Sequence, residues 1–246
     1  MRGCSFIWVL TSLMMNVAHS AEVLWLDQFS HPAEQVPVPW QVVQLNKDIP
    51  PTDYRLILWE GVNAIEASAD KSMALLARPV EVDLNKTPVM CWRWRVDAPL
   101  VKADMATKEG DDYAARVYVS FAMPPDEIDF FLRTKLALAR SLYGDAVPDA
   151  ALNYVWDNKY PVGTRKPNAY TDRTRMIVSE SGSKNAGKWV VARHDIQQDV
   201  MTEFESESAT MVQLSVASDT DNTGEFAHAG FANFHFVERD APCHKF

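Results

Sequence analysis

After residue 21 the chain is cut into short apolar or alternating runs, separated by Pro, Asn, Asp and Gly at spacings that suit strands rather than helices. The runs are Leu56 to Trp59, Ala64 to Ser68, Ser72 to Leu76, Val89 to Val96, Ala115 to Phe121, Asn153 to Trp156, Thr174 to Ser179, Trp189 to His194, Met211 to Ala217 and Gly230 to Val237. A period of two sends successive side chains to opposite faces, so each run can bury one face against a second sheet. Such a series predicts a mainly β fold, a jelly-roll-type antiparallel β-sandwich. One stretch departs from the pattern. "PPDEIDFFLRTKLALARSLYGD" carries Ile128, Phe131, Leu132, Leu136, Ala139 and Leu142 at helical spacing and stops at Gly144. It predicts one inserted amphipathic helix at about 125–143, its apolar stripe covering the core.

The N-terminus reads differently. Arg2, an apolar run from Phe6 to about Val17 and the small-residue site Ala18-His19-Ser20 form a secretory signal peptide over residues 1–20. The run is shorter than the roughly 20 residues a membrane span needs, and no later segment reaches that length. A periplasmic or secreted protein without stable membrane insertion is therefore expected, with residues 21–246 forming a single β-sandwich domain. Cys4 precedes the apolar run, which argues against a lipid anchor. Loss of Arg2 would take the formal charge from −9 to −10, which excludes nucleic acid and anionic surfaces as expected partners. Only Cys91 and Cys243 follow the leader. In an oxidising compartment they either pair or stay as free thiols, and spacing alone does not decide between these. Oligomeric state is not readable.

Five stretches carry a family resemblance: "WRWRVD" at 92–97, "KEGDDYAARVYVSF" at 108–121, "ALNYVWDNK" at 151–159, "YTDRTRMIVSESG" at 170–182 and "DTDNTGE" at 219–225. In this order they resemble the exported bacterial family catalogued as domain of unknown function 3047, from about Phe29 to Val237. The resemblance implies a relation to galactose-binding-like jelly rolls, a group rich in carbohydrate-binding modules, and no established activity. It also implies a final strand of Tyr-Gly-Asp-Ile type. Here "GFANFHF" stands instead, with Asn233 where an acidic residue is usual.

Three features carry candidate chemistry. "DTDNTG" has oxygen side chains at alternating positions and Gly at the sixth, like the first half of a calcium-hand loop. The twelfth position is Gly230, where a bidentate Glu is required, so the EF-hand reading fails. Three readings remain: a turn in which Asp and Asn bond nearby N–H groups, a sandwich calcium site using Asp219, Asp221 and a backbone carbonyl with carboxylates from elsewhere, or direct contact with a ligand. Calcium is the one cofactor the sequence suggests.

Strand parity supplies the second feature. Arg93 and Arg95 share a face opposite Trp92 and Trp94; Arg116, Tyr118 and Ser120 oppose Val117, Val119 and Phe121; Arg175 and Ser179 oppose Met176 and Val178. The expectation is one sheet face rich in arginine. It pairs with Asp111, Asp112, Glu180 or Asp219 in a structural network or lines a polar cleft with Tyr118, Trp156 and Tyr170. Adjacent Asp111 and Asp112 point to opposite faces if extended, and Asp112 shares parity with Arg116. Third, the loops 102–113 and 158–172 are long enough to suggest function.

The usual catalytic signatures are missing: no Gly-x-Ser-x-Gly elbow, His-Glu-x-x-His, phosphate loop or dinucleotide fingerprint occurs. His31, His194, His228, His235 and His244 show no ligand spacing. The sequence points first to a non-catalytic exported sandwich binding a polar ligand, a glycan or envelope saccharide. The contact residues would be Arg93, Arg95, Asp111, Asp112, Arg116, Tyr118, Trp156, Tyr170, Arg175 and Glu180. The alternatives are a glycoside hydrolase or lyase using two carboxylates from Asp111, Glu180 and Asp221, or a structural envelope protein with a partner-binding patch.

Overall fold

The computed structural model describes residues 23–143 and 147–244. The expected signal peptide lies outside them. In chain order the strands are β1 (Val23–Trp25), β2 (Gln41–Val43), β3 (Asp53–Trp59), β4 (Val62–Asp70), β5 (Leu75–Pro79), β6 (Val89–Val96) and β7 (Arg116–Ala122). Helix α1 (Phe130–Tyr143) follows, then β8 (Ala150–Asp157), β9 (Arg165–Pro167), β10 (Thr174–Ser181), β11 (Val190–Asp195), helix α2 (Ile196–Phe204), β12 (Thr210–Ala217) and β13 (Phe226–Val237). All ten sequence runs overlap strands. The run at Ser72 is displaced, because Ser72 and Met73 precede β5 and only Leu75 and Leu76 belong to it.

The strands form two sheets that bury a common core. The first has the order β11-β6-β13-β4-β3, and the second β2-β5-β12-β7-β8-β10-β9. Strand β13 is long enough to pair β4 over Phe226 to Phe231 and β1 over His235 to Val237. Between these, Asn233 takes φ 63° at a register shift against β6. Asn tolerates that left-handed backbone better than most side chains. Its N–H donates to Asp27 Oδ2 at 3.0 Å, and its Oδ1 accepts from Arg93 Nε at 2.9 Å. The position expected to be acidic thus has a conformational task in this chain.

The antiparallel expectation needs one correction: β8 and β10 run parallel. The chain leaves β8, forms β9 within the long 158–172 segment, and returns antiparallel to β9 as β10, which inserts between β8 and β9. A parallel neighbour requires such a crossover length, and the loop supplies it.

Parity places the tryptophans correctly. Trp92 and Trp94 are fully buried, their rings 5.6 Å apart and edge to face, and Trp94 meets Trp156 across the sandwich at 5.7 Å. Phe231, Phe234, Phe236, Tyr154 and Phe121 complete this layer. Trp156 is therefore core, with its Nε1–H donated to Gly182 O at 3.0 Å. It offers no face to a ligand, which corrects the sequence expectation.

The helices also differ from expectation. α1 begins at Phe130, where Asp129 Oδ1 accepts the Leu132 N–H at 2.7 Å; residues from Pro125 to Asp129 precede it. Among the described residues of its stripe Leu136 alone is buried, while Phe130, Phe131 and Leu138 are 84%, 69% and 61% exposed, so α1 does not form the expected core cover. α2 was not anticipated. Asp195 caps it by accepting the Gln198 N–H, Ile196 and Val200 enter the core, and Glu205 ends it at φ 56°. Ile196, Val200 and partly buried Phe204 recur every four residues, but nine residues directly after a strand are too short a run for periodicity to mark a helix.

The 102–113 loop closes tightly at Gly110, whose carbonyl accepts the Asp104 N–H at 2.7 Å. A Cβ at Gly110 would lie 2.6 Å from the Asp104 amide nitrogen. Gly110→Ala must therefore displace backbone, and urea unfolding should show a loss of about 1–3 kcal/mol. Wild-type stability in this variant would mean that the loop is not packed as described.

Candidate functional site

At one end of the sandwich three loops meet over the outer face of the second sheet. Arg116, at the start of β7, is 2% exposed and bonds two carboxylates, Asp111 and Asp219, the latter at 2.5 Å. Asp219 follows β12, because Ala217 pairs with Arg116 and the chain then turns into 218–225. Asp219 Oδ1 accepts the Tyr113 N–H at 3.0 Å, and Asp111 Oδ2 accepts Asn168 Nδ2 at 2.7 Å. Thr223 N donates to Asp112 Oδ2 at 2.6 Å. Asn222 reaches Lys108 O and the Tyr170 hydroxyl, both at 2.9 Å, and Glu225 receives the N–H groups of Val101 and Lys102. Each loop is thereby tied to at least one other by side-chain hydrogen bonds.

The charge balance of this cluster is unusual. Asp111, Asp112, Asp219 and Asp221 meet one guanidinium, that of Arg116. Asp112, Asp219 and Asp221 each offer an oxygen such that these atoms lie within 4.8 Å of one another. Asp112 is fully buried, and its Oδ1 accepts no hydrogen bond from protein; buried Thr223 Oγ1 is also unpartnered. Burial pushes Asp219 up to about 8, against the pull of Arg116 and with the help of the Asp112 and Asp111 charges. Burial, then Asp112, also raises Asp221. Burial works against the Arg116 cation, but Asp111 and Asp219 override it and hold the guanidinium firmly protonated. A second cation would complete this site. The donors are all oxygen, which suits calcium or magnesium rather than zinc.

The other proposed arginines do not join Arg116. Arg93 and Arg95 lie on the outer face of the other sheet, where Arg95 sits 4.1 Å above the Trp59 ring and 2.8 Å from Glu60 Oε2. Arg175 pairs with Leu152, which pairs with core residue Val119, so its side chain is on the inner side of β10 near Glu203 at 3.8 Å. One arginine face thus becomes three surfaces. Parity assigns faces within a strand, but it cannot say which sheet a strand joins. Tyr118 shares the Arg116 face, with the Arg116 guanidinium 5.7 Å from its ring. Tyr170 is the exposed aromatic of the loop end, 56% accessible, with Lys108 Nζ 5.1 Å from its ring. Glu180 is occupied by the Ser181 N–H and by Asn185 Nδ2.

Paired-carboxylate hydrolysis therefore finds little support. Both Asp111 oxygens are engaged, and Glu180 bonds within its own turn. The cluster members that sequence reasoning missed are Asn168, Asn222 and Thr223. Each acts through a bond to another loop, and the only local signal was their place in the two segments already singled out.

The family model described as Protein of unknown function (DUF3047) matches residues 38–235, from just before Trp40 through most of β13. The chain belongs to this family. The DUF3047 region contains the whole Arg116 cluster and all three loops that enclose it. No curated protein matches the chain. Among the described residues, no helix is long and apolar enough to cross a membrane.

Proposed function

We propose that this DUF3047 protein is an exported sandwich that binds a divalent cation, calcium by preference, at Asp112, Asp219 and Asp221. The loops so ordered present a polar-ligand surface of the saccharide class. The observation that carries this reading is the buried, unpartnered Asp112 Oδ1 beside two further carboxylates. A buried carboxylate oxygen without a partner is costly, and a cation removes that cost while relieving the repulsion that raises Asp219. Arg116 is too buried to touch a ligand, so saccharide contact falls to exposed Tyr170 with Lys108 and Asn222 at the rim. A sugar face stacking on an aromatic ring and bonding to flanking polar groups is the chemistry this surface offers.

Thermal unfolding with millimolar calcium against chelator should show a rise of several degrees in the wild type and none in Asp112→Asn. Retention on envelope polysaccharide should require calcium and be lost in Tyr170→Ala. Calcium stabilisation without retention would leave a structural cation and reject the saccharide reading. No response to any divalent ion would reject both.

A further inference from the structure

A second cluster lies on the opposite face of the second sheet from Arg116, where β10 faces β11 across the sandwich. Ser179 Oγ and His194 Nε2 are 2.8 Å apart, and His194 Nδ1 is 3.6 Å from Asp199 Oδ2. The three residues come from β10, β11 and α2. Ser179 falls within the register shift between Val178 and Glu180, and such bulges re-aim side chains next to reactive sites. The Tyr154 hydroxyl donates to Asp199 Oδ2 at 2.7 Å and Arg165 Nη2 to Oδ1 at 2.5 Å. Burial disfavours the Asp199 anion, but nearby His194 and the bonds from Arg165 and Tyr154 hold its carboxyl below the usual range. The imidazole is packed 4.2 Å from the Tyr154 ring and stacked 5.5 Å from Trp92, which fixes its plane. An anion facing Nδ1 favours the tautomer protonated there, which leaves Nε2 to accept from Ser179. Both Ser179 and His194 keep partial exposure.

We infer that Ser179, His194 and Asp199 form a nucleophilic acyl-transfer site that hydrolyses small carboxylic esters. Recognition of such a triad rests on geometry and roles, not on chain order or sequence motif. Ser179 Oγ attacks the ester carbonyl carbon while its proton passes to His194 Nε2. The carbon–oxygen bond to the alcohol then breaks, and the alcohol leaves with the proton from Nε2. Water attacks the acyl-serine in the second half, giving a proton to Nε2; as the acyl–Oγ bond breaks, Nε2 passes that proton to Ser179 Oγ and the carboxylic acid leaves. No electrons are exchanged with a cofactor. Asp199 is a positioning residue that acts through His194. The inference does not rest on the cation site, which lies in other residues.

The test uses the full mature chain, a fluorophosphonate probe and p-nitrophenyl acetate at neutral pH, with peptide mapping of the adduct. The expected result is a covalent adduct on Ser179 and an ester hydrolysis rate at least 100-fold lower in Ser179→Ala and His194→Gln. Asp199→Asn should lower the turnover of acetyl ester while leaving Ser179 in place. A purely structural network would change unfolding in these variants without any adduct in the wild type. Absence of a wild-type adduct overturns the inference, as does labelling of equal rate in His194→Gln or on a residue other than Ser179. Because the wild-type measurement decides first, misfolding of a variant does not shelter the inference.

Discussion

Arg116→Met should unfold at far lower urea than the wild type, with a loss of about 3–5 kcal/mol, the usual cost of removing one partner from a buried ion pair. The reason is that Arg116 alone offsets Asp111 and Asp219, which lie 7% and 2% exposed. The loss should also depend on pH. In the wild type Asp219 already titrates at about 8, above its unfolded value, so the folded state holds more protons through the interval between them. Stability tied to this group is fully present below the unfolded value and is lost as pH rises through about 8. Without the guanidinium the raised direction is reinforced, so the two proteins differ in Asp219 charge only above about pH 8, and the penalty in Arg116→Met should be smallest at pH 5 and larger at pH 9. Urea titrations of both proteins at the two pH values measure this, and a penalty independent of pH would contradict the cluster's charge balance.

The second large effect concerns the C-terminal tail. Cys91 in β6 and Cys243 are joined by a disulfide with Cα atoms 5.8 Å apart, closing 152 residues of chain. The bond sits in a small apolar cluster with Val89 and Val237, while the His244 N–H donates to His235 Nε2 at 3.0 Å. Chain-entropy reasoning for a loop of this length gives about 5 kcal/mol of stabilisation. Unfolding with and without reductant, and in Cys243→Ser, should reveal most of that difference. Coincident unfolding curves would show that the tail contributes nothing to stability.

Residues differ in how far their structural place could be read from sequence. β6 was legible end to end, because Trp92 and Trp94 alternate with Arg93 and Arg95 and the strand has polar groups on only one face. The Arg116–Asp219 partnership was likewise within reach, since both residues close polar strand faces that run into loops. Arg175 was not, because its place follows from β10 inserting parallel to β8 and from α2 covering the sandwich side. Trp156 failed as a ligand platform for the opposite reason: an aromatic on a strand fits core and cleft equally until the facing sheet is known. For α1, spacing predicted a stripe but could not show that Phe131 on it stays 69% exposed while Leu136 is buried. Ser179, His194 and Asp199 are separated in sequence by 15 and 5 positions that match no motif, and only the approach of the two sheet edges brings them together.

If Asp112, Asp219 and Asp221 hold a cation rather than merely shape a turn, calcium must bind there with an affinity that depends on pH. Calorimetric titration with calcium at pH 8 and pH 6 tests it most directly. Since ion binding must displace the proton that burial holds on Asp219, affinity should fall as pH is lowered from 8 to 6. The account predicts one ion per chain, weaker at pH 6, and no binding in Asp112→Asn. Absence of binding at millimolar calcium at both pH values, or unchanged binding in Asp112→Asn, would contradict it.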